Sequence, residues 1–171
     1  MNGIPEKLND YNVYNGAEKL VGVDAECELP NFESATTKIS GTGILGEVET
    51  PNVGHFNSMK LSLTFRTVSK DAGKLFEPRS QLITLRADQG SYDVSKGKIG
   101  HEKLKVIVRG LPTKFEPGKL KAGESTGTKL EIEIYYIKIE CAGTTLVELD
   151  KFNYIFIVNG TDYLAEVREN L

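Results

Sequence analysis

The clearest alternation of apolar and polar positions lies over Lys129–Leu171. Leu130, Ile132 and Ile134 alternate with Glu131 and Glu133, which predicts a strand with one apolar face. After Tyr135-Tyr136 the phase inverts, so that Ile137 and Ile139 are apolar while Lys138 and Glu140 are polar. Two arrangements produce such a slip. One is a β-bulge near the tyrosines; the other is a strand whose two ends are buried on opposite faces, which requires a second layer or a second subunit. A further β-rich run, Thr144–Val158, follows a turn at Gly143, and Asn159-Gly160 is a strong tight-turn signal. The chain then predicts a short helix over Thr161–Leu171, with Thr161 or Asp162 as its cap and Tyr163, Leu164, Val167 and Leu171 on one face.

Earlier in the chain, Met1–Asp10 is polar and reads as an N-terminal arm. Tyr11–Tyr14, Asn15-Gly16 and Leu20–Leu29 read as a hairpin. In its second strand Val23, Ala25, Cys27 and Leu29 alternate with Asp24, Glu26 and Glu28, and Pro30 ends it. Ser34–Ser40 is a short Thr-rich strand. Gly41–Asn57, with four glycines and a proline, reads as a long loop that nevertheless carries Ile44, Leu45, Val48, Val53 and Phe56; an exposed apolar loop of that length normally has something to bind. Met59, Leu61, Leu63 and Phe65 mark a strand, and Ser69 caps a predicted helix that Pro78 stops after Glu77. Ser80–Ala87 and Lys103–Arg109 are further strands, separated by a polar loop over Asp88–Gly100. A second long loop, Gly110–Gly127, leads to the C-terminal strands. If its flanking strands pair, Lys103, Lys105 and Arg109 would face Glu131 and Glu133.

There is no βαβ alternation and no internal repeat. The expected fold is mainly β: one domain over residues 1–171, an antiparallel β-barrel or sandwich of seven to eight strands, with one mid-chain helix and a short C-terminal helix. A chain of 171 residues, 39% hydrophobic and 26% charged, can bury a sizeable core. The net charge of −3 gives no global attraction to nucleic acid or anionic membrane. Two cysteines without a framework read as thiols, with Cys27 on the buried phase of its strand. Met1–Leu20 lacks the apolar segment of a signal peptide, and no stretch is long enough for a membrane anchor.

Candidate chemistry is sparse. Gly41–Val48 fits both the dinucleotide fingerprint and the Gly-rich loop of protein kinases, but no helix follows it and Pro51 interrupts the next segment, so the phosphate-binding context is missing. His55 and His101 are far apart, with no ligand cluster at metal spacing, and there is no nucleophile elbow. No cofactor is expected, and nothing points to an enzyme. A monomeric ligand-binding β-barrel or sandwich is the alternative reading, weakened by the absence of Trp from the chain.

Five segments, in this order and spacing, carry a resemblance: KLNDYNVYNG (Lys7–Gly16), LPNFESATTKISGTGILGEV (Leu29–Val48), KLKVIVRG (Lys103–Gly110), EIEIYYIKIECAGTTLVELD (Glu131–Asp150) and VNGTDYLAEVRENL (Val158–Leu171). Over nearly its full length the chain resembles the major tail tube proteins of contractile-tailed bacteriophages and of R-type tailocins. That resemblance implies a β-barrel subunit in hexameric rings that stack into a hollow tube inside a contractile sheath, like the haemolysin-coregulated tube protein of type VI secretion. Implied partners are other copies of the chain, the tail sheath, a baseplate initiator, a tube terminator and, in a phage, double-stranded DNA passing through the bore; in a tailocin only ions pass. The implied location is the virion tail or tailocin particle, assembled in the bacterial host cytoplasm. In that setting Gly41, Gly43, Ile44, Leu45, Gly46, Val48, Val53 and Phe56 are candidates for ring stacking, and Tyr135, Tyr136, Ile137 and Ile139 for a subunit interface. Asp24, Glu26 and Glu28 are candidates for an acidic bore lining, since DNA must slide without phosphate contacts to Lys or Arg.

Overall fold

A computed structural model describes residues 3–171. In chain order the elements are β1 (Gly3–Asn15), β2 (Glu18–Leu20), β3 (Ser34–Ser40), β4 (Glu47–Phe56), β5 (Lys60–Phe65), α1 (Lys70–Leu75), β6 (Gln81–Asp93), β7 (Lys98–Glu116), β8 (Thr128–Cys141), β9 (Thr144–Asp150), β10 (Ile155–Val158), β11 (Thr161–Asp162) and α2 (Ala165–Asn170). Nine strands form one antiparallel sheet in the order β11-β10-β9-β8-β7-β6-β1-β2, with β5 also on β8; β3 and β4 pair only with each other.

The sheet is organised around β8. One edge of β8 is covered by β7, while the other is shared: β5 pairs with Thr128–Glu133 and β9 with Tyr136–Cys141. This split edge folds the sheet over, so that the apolar faces of β5, β6, β7 and β8 enclose one core. Leu61, Leu63, Phe65, Ile83, Val108, Leu130, Ile132 and Ile134 are all buried there. The segment after β2 meets β5 through two isolated bridges, Val23 to Phe65 and Glu28 to Ser62, rather than a continuous ladder. The result is sandwich-like, and the sheet does not close into a barrel.

The phase slip is a bulge. Arg109 pairs with Tyr136 and Gly110 with Ile134, which leaves Tyr135 as the extra residue. The bulge restores the phase, so Ile137 is buried in the same core as Leu130, Ile132 and Ile134. Gly110 is what permits it: a Cβ there would collide with the Glu133 carbonyl oxygen and lie 2.7 Å from Ile132 Cγ2.

Several expected loops are strands. Asp88–Gly100 is reduced to a turn over residues 94–97, because β6 and β7 continue their ladder to Asp93 and Lys98; the Asp93 carboxylate braces the turn by accepting from Ser95 N and Lys96 N. Gly110–Glu116 extends β7, leaving only residues 117–127 as loop. The segment expected as an N-terminal arm is strand from Gly3, paired with β6 and mostly exposed; Met1 and Asn2 lie outside the described residues. Conversely, the strand expected over Leu20–Leu29 is regular only to Leu20. Gly22 takes a left-handed φ of 87° and turns the chain off the ladder.

The helices follow their sequence signals in part. Ser69 caps α1 as expected, accepting from Ala72 N at 3.2 Å. Neither Thr161 nor Asp162 caps α2; the N-cap position is Leu164, and Asp162 accepts instead from Leu164 N and from Arg168. The expected charge pairing across β7 and β8 is also redrawn by register. Lys105 lies opposite Glu140, Arg109 opposite Tyr136, and Glu131 opposite Lys114, while Lys60 approaches Glu131 at 3.8 Å.

Candidate functional site

The most distinctive surface is the β3–β4 ribbon. Beyond its base it is exposed on both faces, held by cross-strand contacts such as Lys38 Nζ to Glu47 Oε1 at 2.9 Å and Thr36 Oγ1 to Glu49 Oε1 at 3.0 Å. A lone two-stranded hairpin is marginally stable in water, and surface ion pairs add little. The tip nevertheless presents Ile39, Ile44, Leu45 and Val48 to solvent, with Leu45 fully exposed. The sequence expectation of an unstructured Gly41–Asn57 loop is thereby corrected: Gly41, Gly43, Ile44, Leu45 and Gly46 form the turn, and Val48 and Val53 lie on β4.

Phe56 has a different role from the tip residues. It anchors the ribbon, with its ring 5.7 Å from Phe32 and 5.1 Å from Phe156, and Phe156 in turn is 6.0 Å from Tyr163. Leu164 is buried over Gly54, where a Cβ would lie 2.6 Å from its Cδ1. The C-terminal segment is therefore the footing of the ribbon. Phe156→Ala is expected to lower stability by about 2 kcal/mol and to speed amide exchange in β3 and β4; unchanged exchange there would show that the ribbon needs no such footing.

Arg168 ties the same footing down. Its guanidinium pairs with the Asp162 carboxylate and donates to the Tyr154 carbonyl at 2.7 Å. The hydrogen bond from Arg168 holds the Asp162 carboxyl below its usual 3.8. A depressed folded-state pKa gives stability that is present above the unfolded value and lost as pH falls through the folded one. Docking of α2 should therefore loosen below about pH 4, seen as amide shifts at Leu164–Arg168, and Asp162→Asn should remove that transition.

The interface candidates separate into two groups. Ile137 is fully buried and belongs to the chain's own interior, while Ile139 is half-buried and packs against the edge of the same core. Tyr135 and Tyr136 lie on the outer face of the sheet. Tyr135 hydrogen-bonds Ser80 and packs 5.0 Å from exposed Phe152. Tyr136 donates to Glu148 at 3.1 Å beneath Arg109, and burial raises its hydroxyl pKa to about 12. Tyr135, Tyr136, Arg109, Phe152 and Arg86, the last stacked on Tyr14, line a shallow depression of about 460 Å³.

Asp24, Glu26 and Glu28 are exposed but do not form one strand face, because their segment is irregular. Glu26 borders an apolar cleft of about 240 Å³ under Cys27, and Glu28 borders a separate polar one. Burial pushes the Cys27 thiol up to about 11, and its Sγ faces the Ser62 carbonyl at 3.7 Å. Sequence reading missed this cleft, and also Leu120, a fully presented apolar side chain between two lysines; the Lys-Leu-Lys triplet in a Gly-bearing loop was the available signal.

Among the described residues, no group of three or more His, Cys, Asp or Glu side chains is arranged to hold a metal ion. The fold presents a footed ribbon and large exposed apolar side chains. The family model for phage tail tube protein FII matches residues 5–171, and the chain belongs to that family, a structural family of phage tails rather than a known class of enzymes. It is 35% identical to the tail tube protein of Escherichia phage P2 over an alignment of 177 residues that covers 98% of each chain. It is 23% identical to the major tail tube protein of Serratia phage KSP20 over 157 residues, 92% of this chain and 90% of that one.

Proposed function

We propose that the chain is the repeating subunit of the inner tube of a contractile tail, closing into hexameric rings that stack around a hollow bore. The observation that carries this reading is the β3–β4 ribbon: a projecting hairpin with an apolar tip and a rigid aromatic footing, suited to reach a neighbouring ring. A ring of identical subunits needs heterologous contacts, in which one patch meets a different patch of the next copy and the rotation closes. The chain offers several unlike exposed apolar patches for that purpose, including Leu45, Leu120 and Phe152.

In this reading the sheath surrounds the tube, a baseplate complex starts it and a terminator caps it, all in the cytoplasm of the host. Double-stranded DNA passes through the bore of a phage tail, and ions through that of a tailocin. Asp24 and Glu28 are the carboxylates we carry forward as bore candidates, because Glu26 borders the apolar cleft.

Negative-stain electron microscopy with light scattering tests the proposal, on the protein alone and after seeding with baseplates. Rings or hollow tubes of six-fold symmetry are the expected result. A species that stays monomeric after seeding would overturn it and return attention to a ligand-binding module.

A further inference from the structure

We propose that Leu120 of one copy plugs into the apolar cleft beneath Cys27 of the neighbouring copy, making one contact of the assembly a knob and socket; this rests on the self-assembly proposed above.

The socket exists because the inner face of β1, β6 and β7 runs on past the segment that covers it. Leu8 and Ala87 lie beyond the closed core and Leu104 at its edge, and with Cys27 and Leu29 they leave an open apolar cleft of about 240 Å³. Leu8 and Leu29 are exposed. The mouth is acidic. Glu26 lines it, and Asp24 and Glu28 stand exposed on either side of it in the same segment. No lysine or arginine lines the cleft, and none of Asp24, Glu26 and Glu28 has an ion-pair partner among the described residues.

The knob has matching chemistry. Leu120 is 95% exposed, with Lys119 and Lys121 on either side. Its loop is braced: Lys119 N donates to Thr126 O at 3.0 Å, Thr126 N to Arg66 O at 2.7 Å, and Thr128 Oγ1 to Pro117 O at 3.0 Å. Such bracing presents the leucine at little further ordering cost on binding. Lys121 is paired with Glu124, while Lys119 has no ion-pair partner among the described residues and is available to the acidic mouth. Leu45 is equally prominent, but it offers that mouth no free cation: Lys38 is held by Glu47, and Glu49 adds a further carboxylate. Charge complementarity thus selects Leu120 for the cleft and leaves the ribbon tip for another surface.

The test is a cysteine pair on a Cys27→Ser, Cys141→Ser background. Glu26→Cys with Leu120→Cys in one chain should give, on mild oxidation of assembled protein, a ladder of cross-linked oligomers on denaturing gels. Each single variant alone should stay monomeric on such gels, and an equal mixture of the two singles should give cross-linked dimers. Circular dichroism checks the fold of each variant. Tubes that form normally while the double variant fails to cross-link would overturn the knob and socket and leave the tube intact, as would cross-linking of Glu26→Cys to Leu45→Cys instead. Absence of any assembly by the wild type after seeding would remove both readings.

Discussion

Gly110→Val should cost about 3 kcal/mol or more of folding stability, beyond the ordinary effect of a surface strand substitution. Gly110 lies opposite Ile134 where the β8 ladder skips Tyr135, and there the two backbones approach too closely for any side chain. An added Cβ meets the Glu133 carbonyl oxygen, a backbone atom that cannot swing aside, as well as Ile132 Cγ2. Relief would require opening the bulge. Opening it would put Ile137 and Ile139 out of phase with Leu130, Ile132 and Ile134, since a one-residue slip exchanges the faces of a strand. For a chain of this size the loss corresponds to a fall in Tm of about 6–12 °C, measurable by thermal and urea unfolding. Gly73→Ala is the control: that glycine lies inside α1 with nothing near its missing Cβ, and the change should be neutral or stabilising by about 0.5–1 kcal/mol. If Gly110→Val melted with the wild type, the bulge would not depend on that close approach.

Excising the ribbon tip should separate folding from assembly. Removing Ile39–Val48 and joining Lys38 to Glu49 through Asn-Gly leaves a two-residue hairpin turn on strands that already pair Lys38 with Glu49. Cutting further, to Gly54, would also remove the residue beneath Leu164 and so disturb the footing. The shortened protein should remain a folded monomer with a Tm within a few degrees of the wild type, because Ile39, Ile44, Leu45 and Val48 contribute nothing to the core. Burial of such a side chain is worth about 1.5–3 kcal/mol, and every tenfold change in affinity corresponds to about 1.4 kcal/mol. Loss of the set should therefore raise the concentration needed for tube formation at least about 100-fold. Normal tubes from the excised protein, seen by microscopy and sedimentation, would show that the ribbon does not join rings.

What could be read from sequence and what could not divide along a physical line. The mainly β antiparallel class, the core alternation of Leu61, Leu63, Leu130, Ile132 and Ile134, the Ser69 cap and the Asn159-Gly160 turn are local: side-chain period and turn chemistry encode them within a few residues. The phase slip at Tyr135-Tyr136 was equally visible, but its two explanations differ only in what lies across the ladder. The pairing with Arg109 and Gly110 decides for the bulge, and so places Ile137 in the core, with Ile139 half-buried at its edge. Strand extent was decided the same way. Backbone hydrogen bonds carry β6 and β7 through the polar residues Asp88–Asp93 and Lys98–Lys103, because a ladder needs a partner strand and not an apolar side chain. The ribbon and its aromatic footing, the cleft left by incomplete cover of the β1-β6-β7 face, and the partners of Glu131 and Lys105 all depend on residues distant in the chain. The sequence by itself determined which residues prefer strand and core; only the tertiary structure decided which strands meet, because register is a long-range choice among pairings that local periodicity leaves equivalent.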